Sequence, residues 1–189
     1  PYWRFRRAGL RVADPRRPYV VVSNHESFAD ILLISHLPFE MKWLSKVEIL
    51  GIPLIGWMMR MAGDIPIKRG FGPSAVEAME RCRASLRNRV SVIFFPEGTR
   101  SIDGNMLPFK DGAFRLAIEA GVPILPLAVA GTRTALPKHD WRFNPARAVV
   151  EVLPPIETAG LTLEDLPQLK ERVRATIQAA RDALRAQLA

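Results

Sequence analysis

The sequence is poor in cysteine and in histidine. Its 189 residues contain one cysteine and three histidines. A single cysteine cannot form an internal disulfide, which suits a reducing compartment. The histidines lie far apart and have no carboxylates and thiols around them at metal-site spacing, so we expect neither a metal site nor a resident cofactor.

Long apolar runs are also missing. The longest candidate extends from Ile49 to Met59 and is closed by Glu48 and Arg60, well short of the roughly 18 residues of a membrane-spanning helix. No signal peptide is visible. The chain begins at Pro1 rather than Met, so a membrane anchor encoded upstream would not be visible here.

Hydrophobic residues make up 48% of the chain, enough for one compact domain with a sizeable core. The formal net charge of +8 predicts an anionic partner: nucleic acid, anionic lipid, or a phosphorylated or acidic substrate. Aromatic residues are only 8% of the chain, and no nucleic-acid reading motif accompanies the cations. We therefore expect no nucleic-acid partner.

Segments typical of strands and of helices alternate along the chain. This alternation predicts the α/β class, as a single domain with a mixed β-sheet flanked by helices. Strands are expected at 19–23, 41–44, 65–68, 90–95, 124–130 and 148–153, and helical segments at 27–37, 46–62, 74–88 and 112–120.

Two helices have more specific signals. Ser74 and Glu77 fit a capping box behind Pro73 at the start of one helix. The C-terminal segment from Leu166 to Leu188 has apolar residues at spacings of three and four, with charges between them. It predicts a helix that packs on the body of the domain in preference to binding a partner.

The first 17 residues are expected to form a basic N-terminal segment, and residues 18–189 the folded domain. Six arginines occur in this segment against the single acid Asp14, with Tyr2, Trp3 and Phe5 among them. Basic residues beside aromatic ones are typical of a chain close to an anionic membrane.

A histidine precedes an aspartate by five residues where a predicted strand becomes a helix. His25 and Asp30 follow the strand's carboxyl end, where open α/β sheets place their chemistry. His25 is a candidate general base, with Asp30 holding the other ring nitrogen. Ser27 and Asp30 equally fit a helix capping box, so these residues alone leave both interpretations open.

A second candidate site follows the most continuous apolar strand. Pro96 ends that strand, and Gly98 permits a tight turn whose amides can face an anion. Arg100 is suited to bind a phosphate through two hydrogen bonds, with Thr99 as a further donor. The alternative is a surface turn stabilised by an ion pair between Glu97 and Arg100.

Four segments together resemble, in order and spacing, the motifs of the glycerolipid acyltransferases, and most of all those of the bacterial members that acylate lysophosphatidic acid. They are Asn24–His25 with Asp30, then Gly63–Arg69, Phe95–Ser101 and Val122–Pro126. The resemblance extends over about residues 18–130 and implies that residues 18–189 form an acyltransferase domain. It implies His25 and Asp30 as catalytic residues, and a substrate-binding set made of Arg69, Glu97, Gly98, Thr99, Arg100 and Lys110.

The resemblance implies a reaction as well. A fatty acyl group would move from a thioester, acyl-CoA or acyl carrier protein, to the free hydroxyl of lysophosphatidic acid, giving phosphatidic acid without any cofactor beyond the thioester co-substrate. Pro66 stands where the family more often has an aromatic residue, so a lyso-aminolipid remains an alternative acceptor. A non-catalytic, basic lipid-surface binding module is the alternative from another class.

The segment 43–61 is strongly apolar and is flanked by Lys42, Lys46 and Arg60. Its composition fits the interfacial zone of an anionic bilayer, and it fits a buried core equally well. Because lipid substrates enter from a membrane, we expect attachment to the cytoplasmic face of the cell membrane, either peripheral or through an upstream anchor.

Overall fold

The computed structural model describes residues 2–12, 14, 16–68, 70–101, 104–136 and 142–188. The strands in these ranges are β1 (Trp3–Gly9), β2 (Val20–Ser23), β3 (Met41–Lys46), β4 (Ile65–Ile67), β5 (Ser91–Phe94), β6 (Ile124–Ala130) and β7 (Ala146–Val152). The α-helices are α1 (Ala29–Ile34), α2 (Ile55–Ala62), α3 (Gly72–Arg87), α4 (Gly112–Ala120), α5 (Thr132–Ala135) and α6 (Leu166–Leu188). Short 3₁₀ helices lie at Val47–Gly51 and Leu163–Asp165.

The strands form one mixed sheet in the order β1-β7-β6-β2-β5-β3-β4. The five strands from β6 to β4 run parallel to one another. Strand β7 is antiparallel to β6, and β1 runs parallel to β7. The carboxyl ends of β2, β5 and β6 therefore lie at the same edge of the sheet. The predicted α/β class with a mixed sheet is confirmed.

Helices cover both faces of the sheet. Because side chains alternate along a strand, Val20 and Val22 of β2 point into the core beneath α3, α4 and α6, whereas Val21 points into the core beneath α1. All four residues of β2 are buried, as expected for a central strand covered on both faces.

The last helix packs on the body of the domain, as its apolar stripe predicted. Its buried residues are Leu166, Leu169, Val173, Ile177, Arg181 and Leu184. The apolar members belong to the larger core cluster. Arg181 occupies a position of the stripe where an apolar residue would continue the pattern.

Several local predictions need correction. Helix α3 begins at Gly72 with Phe71 as N-cap and no side-chain capping bond, so the predicted capping box at Ser74 was wrong. The Ser74 hydroxyl instead accepts a hydrogen bond from the N–H of Lys68. The segment 46–62, predicted as helical, divides into a 3₁₀ helix and α2. Helix α1 is shorter than its predicted range of 27–37.

The N-terminal segment contributes a strand that the sequence did not indicate. Strand β1 pairs with β7 at the edge of the sheet. Trp3 and Phe5 are half-buried, and their rings stack with centroids 5.3 Å apart, while Arg4 and Arg6 are exposed. The side chains thus alternate between the body and solvent.

Gly131 makes the turn between β6 and α5. Its φ is +89°, and a Cβ atom there would lie 2.1 Å from the carbonyl oxygen of Arg147 on β7. Real Cβ atoms do not approach a backbone oxygen so closely. The turn therefore needs glycine, and it sets the direction in which Thr132 leaves the sheet.

We expect Gly131→Ala to lower the free energy of unfolding by roughly 3 kcal/mol or more, since steric overlap adds to the cost of about 1–2 kcal/mol for a left-handed alanine. Gly121→Ala is the matched control, because Gly121 has a φ of +61° and no atom within 4 Å of the Cβ position. Gly121→Ala should lose only the part of the unfolding free energy that comes from the left-handed backbone conformation. Denaturant unfolding measures both variants, and equal losses would contradict the steric explanation.

Candidate active site

His25 and Asp30 contact each other directly at the carboxyl end of β2. His25 Nδ1 lies 2.8 Å from Asp30 Oδ2. The imidazole stacks on the ring of Phe95, with centroids 3.9 Å apart and an angle of 14° between the planes. The His25 side chain is 15% exposed. The ring is therefore fixed on two sides and still reachable from solvent.

Asp30 is fully buried and accepts hydrogen bonds from four donors. Besides His25, the backbone N–H groups of Glu26 and Ser27 donate to Oδ2 at 2.7 and 3.0 Å. The hydroxyl of Thr132 donates to Oδ1. The two backbone N–H groups can only donate, so they favour the carboxylate form of Asp30. Nδ1 of His25 can then donate to that carboxylate, and this tautomer presents the lone pair of Nε2.

The general-base and the helix-capping interpretations of the Asn24–Asp30 segment both apply to the Asp30 carboxylate. Asp30 bonds the N–H groups of the turn before α1, as a capping residue would. The N-cap position itself is Phe28, which makes no side-chain capping bond. The N–H groups of the turn and the imidazole bond the same oxygen atom, Oδ2 of Asp30. The local capping contacts therefore orient the Asp30 carboxylate towards His25.

Asn24 fixes the end of β2 immediately before His25. Its Nδ2 donates to the carbonyl of Val129 at 2.9 Å, and its Oδ1 accepts from the N–H of Val129 at 2.8 Å. Both bonds are buried and join β2 to β6. The amide side chain thus continues the strand pairing to the residue that precedes the histidine.

The segment that follows β5 is bonded to both backbone groups of His25. The His25 N–H donates to Glu97 Oε1 at 2.8 Å, and the His25 carbonyl accepts from the N–H of Ser101 at 3.1 Å. The residues between these two anchors, Gly98 to Arg100, are therefore held beside His25. The structure brings together two motifs that lie more than 70 residues apart in the sequence.

Glu97 is buried and joins two loops. While Oε1 accepts from His25, Oε2 accepts from the N–H of Leu107 at 2.8 Å. Burial raises the pKa of the Glu97 carboxyl, and the two backbone donors act in the opposite direction. Direct contact of Glu97 with an acceptor stays a prediction. The observed contacts are those of a carboxylate that positions the loops.

Lys110 lies over the turn at Gly98. A Cβ atom on Gly98 would be 2.8 Å from Lys110 Nζ, and the φ of Gly98 is +73°. Glycine thus permits both the turn and the close approach of the ammonium. Thr99 is exposed and Arg100 is half-buried on the same turn. Arg69, also predicted to bind substrate, lies outside the described residues.

A cavity of about 450 Å³ opens beside this turn. Its lining includes Lys68, Lys110 and Gly98, together with an apolar wall that includes Leu44, Ile67, Phe71, Met79, Phe94 and Phe95. Cations next to hydrocarbon contacts are the environment that an anionic amphiphile requires.

Sequence reasoning missed residues that complete the site. Thr132, which bonds Asp30, lies two residues after the end of β6 at the same edge of the sheet, so the strand-end rule applied to β2 and β5 would also have found it. The stacking of Phe95 on His25 had no sequence signal. Arg185 of α6 donates to Glu26, the neighbour of His25, at 2.6 Å, across 159 positions of sequence.

This chain is similar to named acyltransferases. Human 1-acyl-sn-glycerol-3-phosphate acyltransferase alpha is 43% identical over 168 residues, which are 88% of this chain and 59% of the human protein. The 1-acyl-sn-glycerol-3-phosphate acyltransferase of Saccharomyces cerevisiae is 32% identical over 84% of this chain and 54% of its own length. The chain thus spans somewhat more than half the length of these curated relatives.

A crystal structure also has this fold, that of the 1-acyl-sn-glycerophosphate (LPA) acyltransferase PlsC from Thermotoga maritima. The TM-score is 0.79 at 30% identity, over 95% of this chain and 72% of the other. A family model described as Acyltransferase matches residues 4–130, which is more than half of the chain and includes the His25–Asp30 pair and the turn at Gly98. The chain belongs to the acyltransferase family.

Proposed function

We propose that this chain carries the catalytic site of a 1-acyl-sn-glycerol-3-phosphate O-acyltransferase. It transfers a fatty acyl group from acyl-CoA or acyl carrier protein to the free hydroxyl of lysophosphatidic acid and gives phosphatidic acid, a step of phospholipid biosynthesis. The observation that supports this proposal most directly is the buried Asp30 bonded to Nδ1 of a partly exposed His25. The names of the relatives support the choice of acceptor.

The reaction needs a deprotonated hydroxyl more than an activated donor, since a thioester is already reactive. Nε2 of His25 takes the proton of the acceptor hydroxyl while that oxygen attacks the thioester carbonyl carbon. The tetrahedral intermediate collapses, the carbon–sulfur bond breaks, and the imidazolium returns the proton to the leaving thiolate. Asp30 stabilises the imidazolium through Nδ1 during these steps. No acyl-enzyme and no cofactor take part.

The phosphate of the acceptor binds at the turn from Gly98 to Arg100. Lys110 Nζ stands over that turn, and the cavity beside it contains Lys68 as well. The apolar lining of the same cavity accommodates hydrocarbon. A non-catalytic lipid-binding module would not require a histidine whose ring orientation and tautomer are fixed by a buried carboxylate. A lyso-aminolipid is the alternative acceptor, since the turn also suits other anionic head groups.

His25→Ala should reduce kcat about a hundred- to ten-thousandfold with lysophosphatidic acid and a labelled acyl donor, as expected for the loss of a general base. His36→Ala is the matched control, because His36 is exposed just beyond α1. The control should keep the activity of the parent protein. Full turnover by a folded His25→Ala variant would contradict the mechanism.

Arg100→Ala and Lys110→Ala should raise KM for lysophosphatidic acid about tenfold or more, since each loses a charged hydrogen-bonding group. Monoacylglycerol, which lacks the phosphate, should show no such change. Arg87→Ala, at an exposed position at the end of α3, is the control for net charge. Equal losses with both acceptors would argue against phosphate binding at this turn.

Membrane attachment is the remaining part of the proposal. Leu54, Trp57, Met58 and Met61, the α2 patch, are 56–69% exposed, and their spacing places them on one face of α2. Lys46 and Arg60 are exposed next to this patch in the sequence. Among the described residues, no helix is long and apolar enough to cross a membrane. We propose that the α2 patch rests in the interfacial zone of an anionic bilayer, on the cytoplasmic face of the cell membrane.

The double variant Trp57→Ser with Met61→Ser should bind phosphatidylglycerol vesicles about tenfold more weakly in a sedimentation assay, because it removes large apolar side chains from the interface. Val76→Ser is the matched control, since Val76 is 65% exposed and belongs to α3 and not to the patch. Neutral phosphatidylcholine vesicles should bind the parent protein less well. Unchanged binding of the double variant would exclude the α2 patch as the docking surface.

A further inference from the structure

Two loops at the catalytic edge of the sheet are joined to the last helix by two arginines. The carbonyl of Gly104, in the loop after β5, accepts from Arg181 Nη1 at 3.2 Å and from Arg185 Nη2 at 2.9 Å. The same Nη2 of Arg185 donates to Glu26 Oε1 at 2.6 Å. One guanidinium therefore holds the loop that carries His25 and the loop that carries the turn at Gly98.

Glu26 is an unusual neighbour for a catalytic histidine. It directly follows His25, and its side chain is 3% exposed. Its backbone N–H donates to Asp30, and its carboxyl group interacts electrostatically with the Asp30 carboxylate. Burial raises the pKa of Glu26, and Arg185 acts against that change. Without Arg185, the loop would contain a buried carboxyl group lacking its ion-pair partner.

The turn at Gly104 fits closely around these arginines. Its φ is +88°, and a Cβ atom there would lie 2.6 Å from Arg133 Nη1 and 3.3 Å from Arg185 Nη2. Glycine exposes the carbonyl to both guanidiniums of α6. The guanidinium groups of Arg181 and Arg185 can therefore approach the backbone of this loop at Gly104.

We propose that Arg185 is a positioning residue for His25, because it neutralises Glu26 and ties the loops of both catalytic motifs to α6. This inference deepens the proposed function and rests on His25 as the general base. The family model ends at residue 130, so Arg185 and all of α6 lie beyond it. The apolar residues of α6 already attach the helix to the core. Packing alone does not require an arginine at position 185.

Arg185→Met should lower kcat about tenfold or more and leave KM for both substrates within about twofold, because a displaced general base affects the chemical step more than binding. The kcat of Arg185→Lys should lie between those of Arg185→Met and the parent protein. Lysine keeps the charge but cannot bond both acceptors in the same geometry. Arg172→Met, at an exposed position of the same helix, is the matched control and should keep full activity.

The second arm tests charge compensation. Glu26→Gln combined with Arg185→Met removes both charges and should recover most of the kcat that Arg185→Met loses. A role confined to helix stability predicts instead that the two losses multiply. Thermal unfolding of each variant identifies losses that come from a destabilised fold, and Arg185→Lys tests the proposal even where Arg185→Met does not fold.

The third arm does not require activity. NMR spectra of the histidine ring protons report on His25 directly, and with only three histidines in the chain the other two serve as references. In Arg185→Met the His25 ring resonances should move away from their positions in the parent spectrum, because the loop that carries His25 is no longer bonded to α6. The resonances of the double variant should lie closer to those of the parent protein.

The charged groups around Glu26 and His25 come from several elements. They are Arg185 and Arg181 of α6, Arg133 of α5, Arg147 of β7, Asp30 of α1 and Glu97 of the loop after β5. Arg185→Met behaving like Arg172→Met in both kcat and the His25 ring resonances would overturn the positioning role. A parent protein without acyltransferase activity would refute the proposed function, and the NMR spectra would then decide the positioning role by themselves.

Discussion

The hydrogen bonding of the buried Asp30 carboxylate is the interaction on which the candidate active site depends. It orients the imidazole of His25, bonds the turn before α1, and reaches Thr132 after β6. A buried charge of this kind is stable only when donors surround it on all sides. The loops that follow β2 and β6 must therefore adopt a single arrangement, and that arrangement also places the histidine.

A second carboxylate extends the same principle to the loop after β5. Glu97 accepts from the backbone N–H groups of His25 and Leu107, so it fixes that loop relative to the histidine. Glu26 repeats the arrangement towards α6 through Arg185. Each of the three acids links a loop to its neighbour, and Lys68 and Lys110 line the cavity beside the turn at Gly98.

Much of the fold was predictable because its signals are local. The apolar run of β5, the helix α4 with Gly121 behind it, and the stripe of α6 follow from periodicity and capping alone. Strand β1 was not predicted because it is rich in arginine and forms only by pairing with β7, which lies more than 130 residues later in the sequence. The predicted capping box at Ser74 was wrong because α3 begins earlier, at Gly72, with Phe71 as its N-cap.

The sequence by itself determined the chemistry of the site: a histidine and an aspartate at one strand end, and a glycine turn with an arginine at the next. These follow from residue type and from the position of each strand's carboxyl end. Only the tertiary structure decided which groups meet there. The stacking of Phe95, the bridge through Glu97 and the reach of Arg185 are contacts between residues far apart in the chain. No local pattern encodes such contacts, because they depend on how the sheet and its helices pack.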